Sequence, residues 1–313
     1  MTIDRLHPEM RAVQNRRDAE AAKLPPVVLA EPWGPSRAIS EQLSMIYGHG
    51  GPVMAETTER WLFIGGRRVL CRVHKPRNDR KLPVLVWFHG GGWVFQSIDS
   101  HDRLVREYAA AAEVATVSVD YSLAPESRFP QPLLECADAM RALVDTDWGL
   151  DTSRIAIGGD SAGGNLALGA AIHLRDAGGP KLRGVLTPYP VTDTDFASPS
   201  YQEFAEGFGL TRVGMQAYWD LYLRGSADRL NPLAVPMRAD CAGLPPTLMQ
   251  LAELDVLRSD GERMAAKMKA AGVDVTLSVY PGVVHGFVRL TEVVGIARDA
   301  MAEAATWLRA RMA

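Results

Sequence analysis

Hydrophobic positions recur along this chain in two rhythms, and the places where one gives way to the other divide it into elements. Residues 1 to about 55 read as two short helices separated by a proline-rich break at 24–35, the second carrying Ile39, Leu43 and Ile46 on one face. From Trp61 the pattern shortens to strands at 61–64 and 69–74, and Gly65-Gly66 between them predicts a hairpin. A strand at 83–88 follows, and its core Val84-Leu85-Val86-Trp87-Phe88 is apolar on both faces, as a central strand covered by helices should be. Beyond it, helical and strand patterns alternate: helix 100–112, strand 114–119, helix 129–145, strand 154–158, a helix ending near 177, and strand 183–187. After a long interval come strand 247–251, helix 259–271, strand 275–280 and a closing helix at 291–312. Strand–helix–strand units at this spacing imply right-handed parallel crossovers, hence an α/β fold with a mostly parallel sheet.

Two segments do not fit the alternation. The N-terminal stretch is either a helical arm packed on the core or part of a cap over a site; an amphipathic face supports both. Pro188 and Pro190 stop one strand, and residues 191 to about 230 form an insertion rich in aromatic residues, with Met215, Tyr218, Trp219 and Tyr222 on one helical face. That face fits either core packing or an apolar cap over a pocket, and an insertion of this length points to function.

Composition narrows the class. With 313 residues and 47% hydrophobic content, one large core in a single α/β domain is favoured over two equal domains. The formal net charge of -3, with acids and bases interspersed, leaves no footprint for nucleic acid or a membrane surface. The charge-dense first twenty residues lack an apolar run, so neither a signal peptide nor a membrane anchor is expected, and a cytoplasmic location follows. Cys71, Cys136 and Cys241 are odd in number and widely spaced, which fits reduced, packed thiols. No metal-binding spacing is present among the seven histidines, so no metal site is expected.

Chemistry concentrates at strand ends. Gly159-Asp160-Ser161-Ala162-Gly163 fits G-x-S-x-G between a buried strand and a helix, a tight turn that pushes one serine hydroxyl out of the sheet. His89-Gly90-Gly91-Gly92-Trp93 follows the central strand and resembles loops whose backbone N–H groups receive an oxyanion. Asp255 follows the strand at 247–251, and His285 lies in a loop after the strand at 275–280. Ser161, Asp255 and His285 therefore stand in the order Ser, Asp, His, each at the carboxyl end of a strand, as nucleophile, acid and base of a triad would. Glu253 and Asp260 are the substitutes for the acid; the first should alternate to the far side of the strand end, the second belongs to the next helix's first turn. Glu126, in a loop, is read as a structural acceptor.

Taken together, His89-Gly90-Gly91-Gly92, His101-Asp102, Asp120 to Glu126, Gly159 to Asn165, Leu244-Pro245-Pro246, Asp255 to Gly261 and His285-Gly286-Phe287 make the chain resemble the bacterial hormone-sensitive-lipase-like (family IV) esterases of the α/β-hydrolase fold. The resemblance covers residues 82–287. It implies an eight-stranded sheet flanked by helices, a catalytic domain over residues 56–313 with a cap from residues 1–55 and the insertion at 191–230, and cofactor-free hydrolysis of short- to medium-chain acyl esters. It also implies oxyanion donors from the backbone of Gly91, Gly92 and Ala162, a small-molecule ester substrate, and a homodimer through the edge strand at 275–280. Two positions depart from the family pattern: Ser122 stands where Arg is usual, which puts the order of that loop in doubt, and Val256 replaces the usual Pro. The same triad would serve an amidase, lactonase or deacetylase, and the same fold a noncatalytic receptor.

Overall fold

The computed structural model describes residues 5–313; the first four residues of the N-terminal segment lie outside the described part. Eight strands form one sheet in the order β1-β2-β4-β3-β5-β6-β7-β8. Strands β1 (Glu56–Ile64) and β2 (Arg67–Lys75) make the hairpin turning at Gly65-Gly66, and β2 runs antiparallel to β4 (Ala115–Val119). All further neighbours are parallel: β3 (Leu82–Phe88), β5 (Leu150–Gly159), β6 (Leu182–Pro188), β7 (Thr247–Leu254) and β8 (Val275–Val284). Every residue of β3 and β4 is buried, which accounts for the unbroken apolar sequence of β3; β4 carries only the small polar Thr116 and Ser118 among its apolar residues.

Helices α3 (Asp102–Ala112) and α9 (Gly295–Met312) pack together on one face of the sheet, and α4 (Gln131–Val144), α5 (Ala162–Ala177) and α8 (Arg258–Ala270) cover the other. The remaining helices are α1 (Pro8–Ala21), α2 (Trp33–Ser44), α6 (Pro199–Glu203) and α7 (Arg212–Tyr222). Helix α2 starts within the stretch read as a proline-rich break, because Pro35 sits in its first turn, where a missing N–H costs nothing. The insertion at 191–230 holds α6 and α7.

Parallel register brings the chemistry to one edge. Phe88 pairs with Gly159, so the loops after β3 and β5 start side by side. Leu254 pairs with Val284, so the residues after β7 and β8 do the same.

Strand β8 runs four residues beyond its expected end at 280, through Pro281-Gly282. The ladder bulges there, Ala252 facing Tyr280 and Leu254 facing Val284. Remote groups satisfy the bulge: the Gly282 N–H donates to Glu253 Oε2 at 2.8 Å, and the Gly282 carbonyl accepts from His7 N at 2.8 Å. Glu253 is held further by Arg5 at 2.9 Å and thus serves the backbone of the bulge. The loop containing Ser122 is ordered by a substitute cation. Ser122 donates through N–H and Oγ to Glu135 at 2.8 and 2.9 Å, and Arg67, from the hairpin, reaches the same carboxylate at 3.4 Å. Val256 is fully buried. Truncation of Glu253 to Ala should cost about 1 kcal/mol by stranding the Gly282 N–H, read as a lower urea midpoint with an unchanged m-value.

Candidate active site

Ser161 sits at the top of the strand-to-helix turn with φ 56° and ψ −120°, a strained conformation for a residue with a side chain. The turn closes this tightly because its flanks lack side chains: a Cβ on Gly163 would lie 1.9 Å from the Phe88 carbonyl oxygen, and one on Gly159 would lie 2.4 Å from Gly163. Below it, Asn165 donates to the Val191 and Ala234 carbonyls at 3.0 and 2.9 Å, tying α5 to the chain that leads into and out of the insertion.

The Ser161 hydroxyl lies 2.8 Å from His285 Nε2, and His285 Nδ1 lies 2.7 Å from Asp255 Oδ2. A carboxylate only accepts, so Nδ1 carries the proton and Nε2 is left to accept from the serine. The other oxygen of Asp255 accepts from Leu257 N at 3.0 Å, and the residue is buried. Tyr189, just after β6, packs its ring against His285 with centroids 4.6 Å apart, fixing the imidazole from the side.

Gly91 and Gly92 adopt φ values of 118° and 63°, and a Cβ on Gly91 would lie 2.1 Å from the Phe95 carbonyl oxygen. Among the described residues, the N–H groups of Gly91, Gly92 and Ala162 donate to no acceptor. The loop is braced from beneath. Gly90 N–H donates to Asp160 Oδ1 at 3.1 Å, His101 Nε2 lies 3.1 Å from the same oxygen, and the Tyr121 hydroxyl donates to the His89 carbonyl at 2.7 Å. Burial pushes the Asp160 carboxyl up, but His101, by charge and hydrogen bond, and Arg289 and His285 by charge, bring it down to about 2. Burial, with His101 adding, lowers His89 to about 3, so that ring is neutral at neutral pH.

A cavity of about 420 Å³ opens above Ser161 and His285, bounded by Leu43 of α2, Ala21 of α1 and Met215 and Tyr218 of α7. The wall is fastened to the glycine loop. Arg37 of α2 forks onto Glu126 at 2.7 Å twice and donates to the Val94 and Ala124 carbonyls at 2.9 and 3.0 Å. On the α7 side, Trp93 stacks on Tyr222 with centroids 4.4 Å apart and planes 2° apart.

The alternative acids lie elsewhere. Asp260 is fully buried in the first turn of α8, with Arg263 at 3.2 Å. Asp160, His101, Tyr189 and Arg37 are the contributors that sequence reasoning did not assign; His101 and Asp160 lay within quoted motifs, but their contact spans 59 residues and has no local signature.

With this geometry in view, the comparisons with known proteins become decisive. The family model described as alpha/beta hydrolase fold matches residues 85–289. The chain belongs to the α/β-hydrolase family. The hydrolase is 42% identical over 236 residues to the carboxylesterase NlhH of Mycobacterium tuberculosis, spanning 73% of this chain and 74% of that protein. It is 37% identical over 238 residues to the ethyl acetate hydrolase of Pseudomonas putida, with the same shares. Among solved structures, a hyperthermophilic esterase from Pyrobaculum calidifontis superposes with a TM-score of 0.91 at 33% identity, covering 97% of this chain and 98% of the other. These similarities assign the hydrolase to the hormone-sensitive-lipase-like esterases. It is a carboxylic ester hydrolase.

Burial, reinforced by Asp193, lifts the Asp260 carboxyl well above the usual carboxylate range, with Arg263 offsetting part. Below the unfolded-state pKa of about 4 the group is neutral in both states and has no effect on stability. As pH rises from there toward the folded pKa, the unfolded chain releases the proton first and stability falls. Asp260→Asn should remove this loss, raising Tm by about 2 °C or more at pH 8 but much less at pH 4, as thermal melts will show.

Proposed function

We propose that this esterase works through Ser161 as nucleophile, His285 as general base and acid, and Asp255 as the carboxylate that orients the imidazole. The observation that carries the reading is the unbroken hydrogen-bond chain Ser161–His285–Asp255, at 2.8 and 2.7 Å, on the floor of a cavity. His285 Nε2 takes the hydroxyl proton as Ser161 Oγ attacks the ester carbonyl. Negative charge then develops on the carbonyl oxygen, and the open N–H groups of Gly91, Gly92 and Ala162 are the donors for it. Collapse of the tetrahedral species returns the proton to the leaving alcohol and leaves an acyl-serine, which water, activated by the same imidazole, hydrolyses. Asp255 holds the productive tautomer and stabilises the imidazolium formed at each step.

The helices bounding the cavity, α1, α2 and α7, are read as a cap. Its volume of about 420 Å³ lies in the range of small-molecule sites and supports short- to medium-chain acyl groups. Two further readings go with this one. Three unpaired, buried cysteines, Cys71 pushed by burial up to about 12, support a reducing compartment, the cytoplasm. Strand β8 lies at a sheet edge with Val279 exposed, which supports a homodimer built by edge pairing. Cell fractionation and light scattering check these two; a membrane-bound pool or a monomer mass would count against them.

On p-nitrophenyl acyl esters of graded length, Ser161→Ala and His285→Ala should each lose kcat by about 10⁴-fold or more. Asp255→Asn should lose about 10⁴-fold, while Glu253→Gln and Asp260→Asn stay within about threefold of wild type. Activity retained by Ser161→Ala, or lost in Asp260→Asn with Asp255→Asn intact, would overturn the assignment.

A further inference from the structure

The cavity above Ser161 is lined by two arginines that form no ion pair with a carboxylate among the described residues. Arg17 of α1 and Arg289, four residues beyond His285, both line it. Other partly buried arginines are matched with acids, Arg37 with Glu126, Arg72 with Asp99 and Arg103 with Glu107. Arg289 donates only to neutral acceptors, Gln96 Oε1 at 2.9 Å and the Ser100 carbonyl at 2.8 Å. The half-buried Arg17 guanidinium has no hydrogen-bond acceptor or ion-pair partner among the described residues; its nearest ring contact is Tyr47, whose centroid lies 5.9 Å from Cζ.

Burial lowers Arg17 to about 10, and the charge of Arg289 adds to the effect. Two acids line the same cavity, and neither pairs with Arg17. Asp18 is exposed, so water screens it, and it makes no ion pair with Arg17. Asp160 is engaged by Gly90 N–H, by His101 and by the charge of Arg289, and makes no ion pair with Arg17. A partly desolvated guanidinium without a counter-charge is costly to keep, and its planar fork matches a carboxylate in a bidentate pair.

We infer that Arg17, backed by the positive field of Arg289, selects ester substrates bearing a second, anionic group: a free carboxylate remote from the scissile ester, on either the acyl or the alcohol part. The inference rests on the esterase reading above and names a substrate class for it. The remaining walls, Met215, Tyr218 and Leu43, suit the apolar spacer between ester and carboxylate.

Paired substrates test this in a pH-stat at pH 7.5 and low salt. Ethyl hydrogen adipate against ethyl hexanoate places the carboxylate on the acyl side. 4-Acetoxybenzoate against its methyl ester places it on the alcohol side. In at least one pair the anionic member should have a kcat/KM about tenfold or more above the neutral one. That ratio should fall to about 1 in Arg17→Gln and recover in part in Arg17→Lys. Because each ratio is taken within one protein preparation, partial misfolding of a variant cancels. Equal or better turnover of the neutral member in both pairs, or an unchanged ratio in Arg17→Gln, overturns the inference while leaving the esterase reading intact. If no ester is hydrolysed, the esterase reading fails, and calorimetry of ethyl hydrogen adipate with Ser161→Ala protein decides the binding claim: affinity lost on adding Arg17→Gln supports it, and absence of binding overturns it.

Discussion

The site depends on one close approach. The first turn of α5 lies so near the end of β3 that no side chain fits between Gly163 and the Phe88 carbonyl. That contact, together with the Gly159 side of the turn, forces Ser161 into its positive-φ conformation and lifts the hydroxyl clear of the sheet. It also sets the distance between the Ser161 turn and the glycine loop, because β3 and β5 are adjacent and in register at Phe88 and Gly159. The strain is held by the buried sheet around it, which cannot relax without disturbing fully packed strands.

From there the polar interior works as a brace. Asp160, next in chain to the serine, spans to Gly90 and His101 and so couples the elbow to the loop that bears the open N–H groups. Above the loop, Arg37 and the Trp93–Tyr222 stack fasten it to the cavity walls on two sides. Wall and loop are therefore one mechanical unit, and a change in α2 or α7 is felt at the glycines. Preorganised donors of this kind need no rearrangement when charge appears.

What could be read from the sequence was local. Alternating strand and helix periods, the G-x-S-x-G turn and the glycine loop are written in runs of neighbouring residues, and the fold class follows from their order. Features made by distant partners were not legible. The continuation of β8 through Pro281-Gly282 needs His7 and Glu253, and Pro-Gly by itself reads as a stop. The choice between arm and cap for α1 and α2 depends on tertiary contacts that an amphipathic face does not specify. Tyr189 gave no signal either, since its contact with His285 joins the ends of β6 and β8.

The cation beside Glu135 has a consequence of a different kind. Glu135 is buried, and its carboxylate is shared by Ser122, Gln131 and Arg67, the last coming from a hairpin more than fifty residues upstream of the loop it supports. A requirement that could be met within one loop is met here across the sheet edge. Positions 67 and 122 are thus bound by epistasis: the tolerance of either to change is set by the residue at the other, and neither can be interpreted from its own neighbourhood alone.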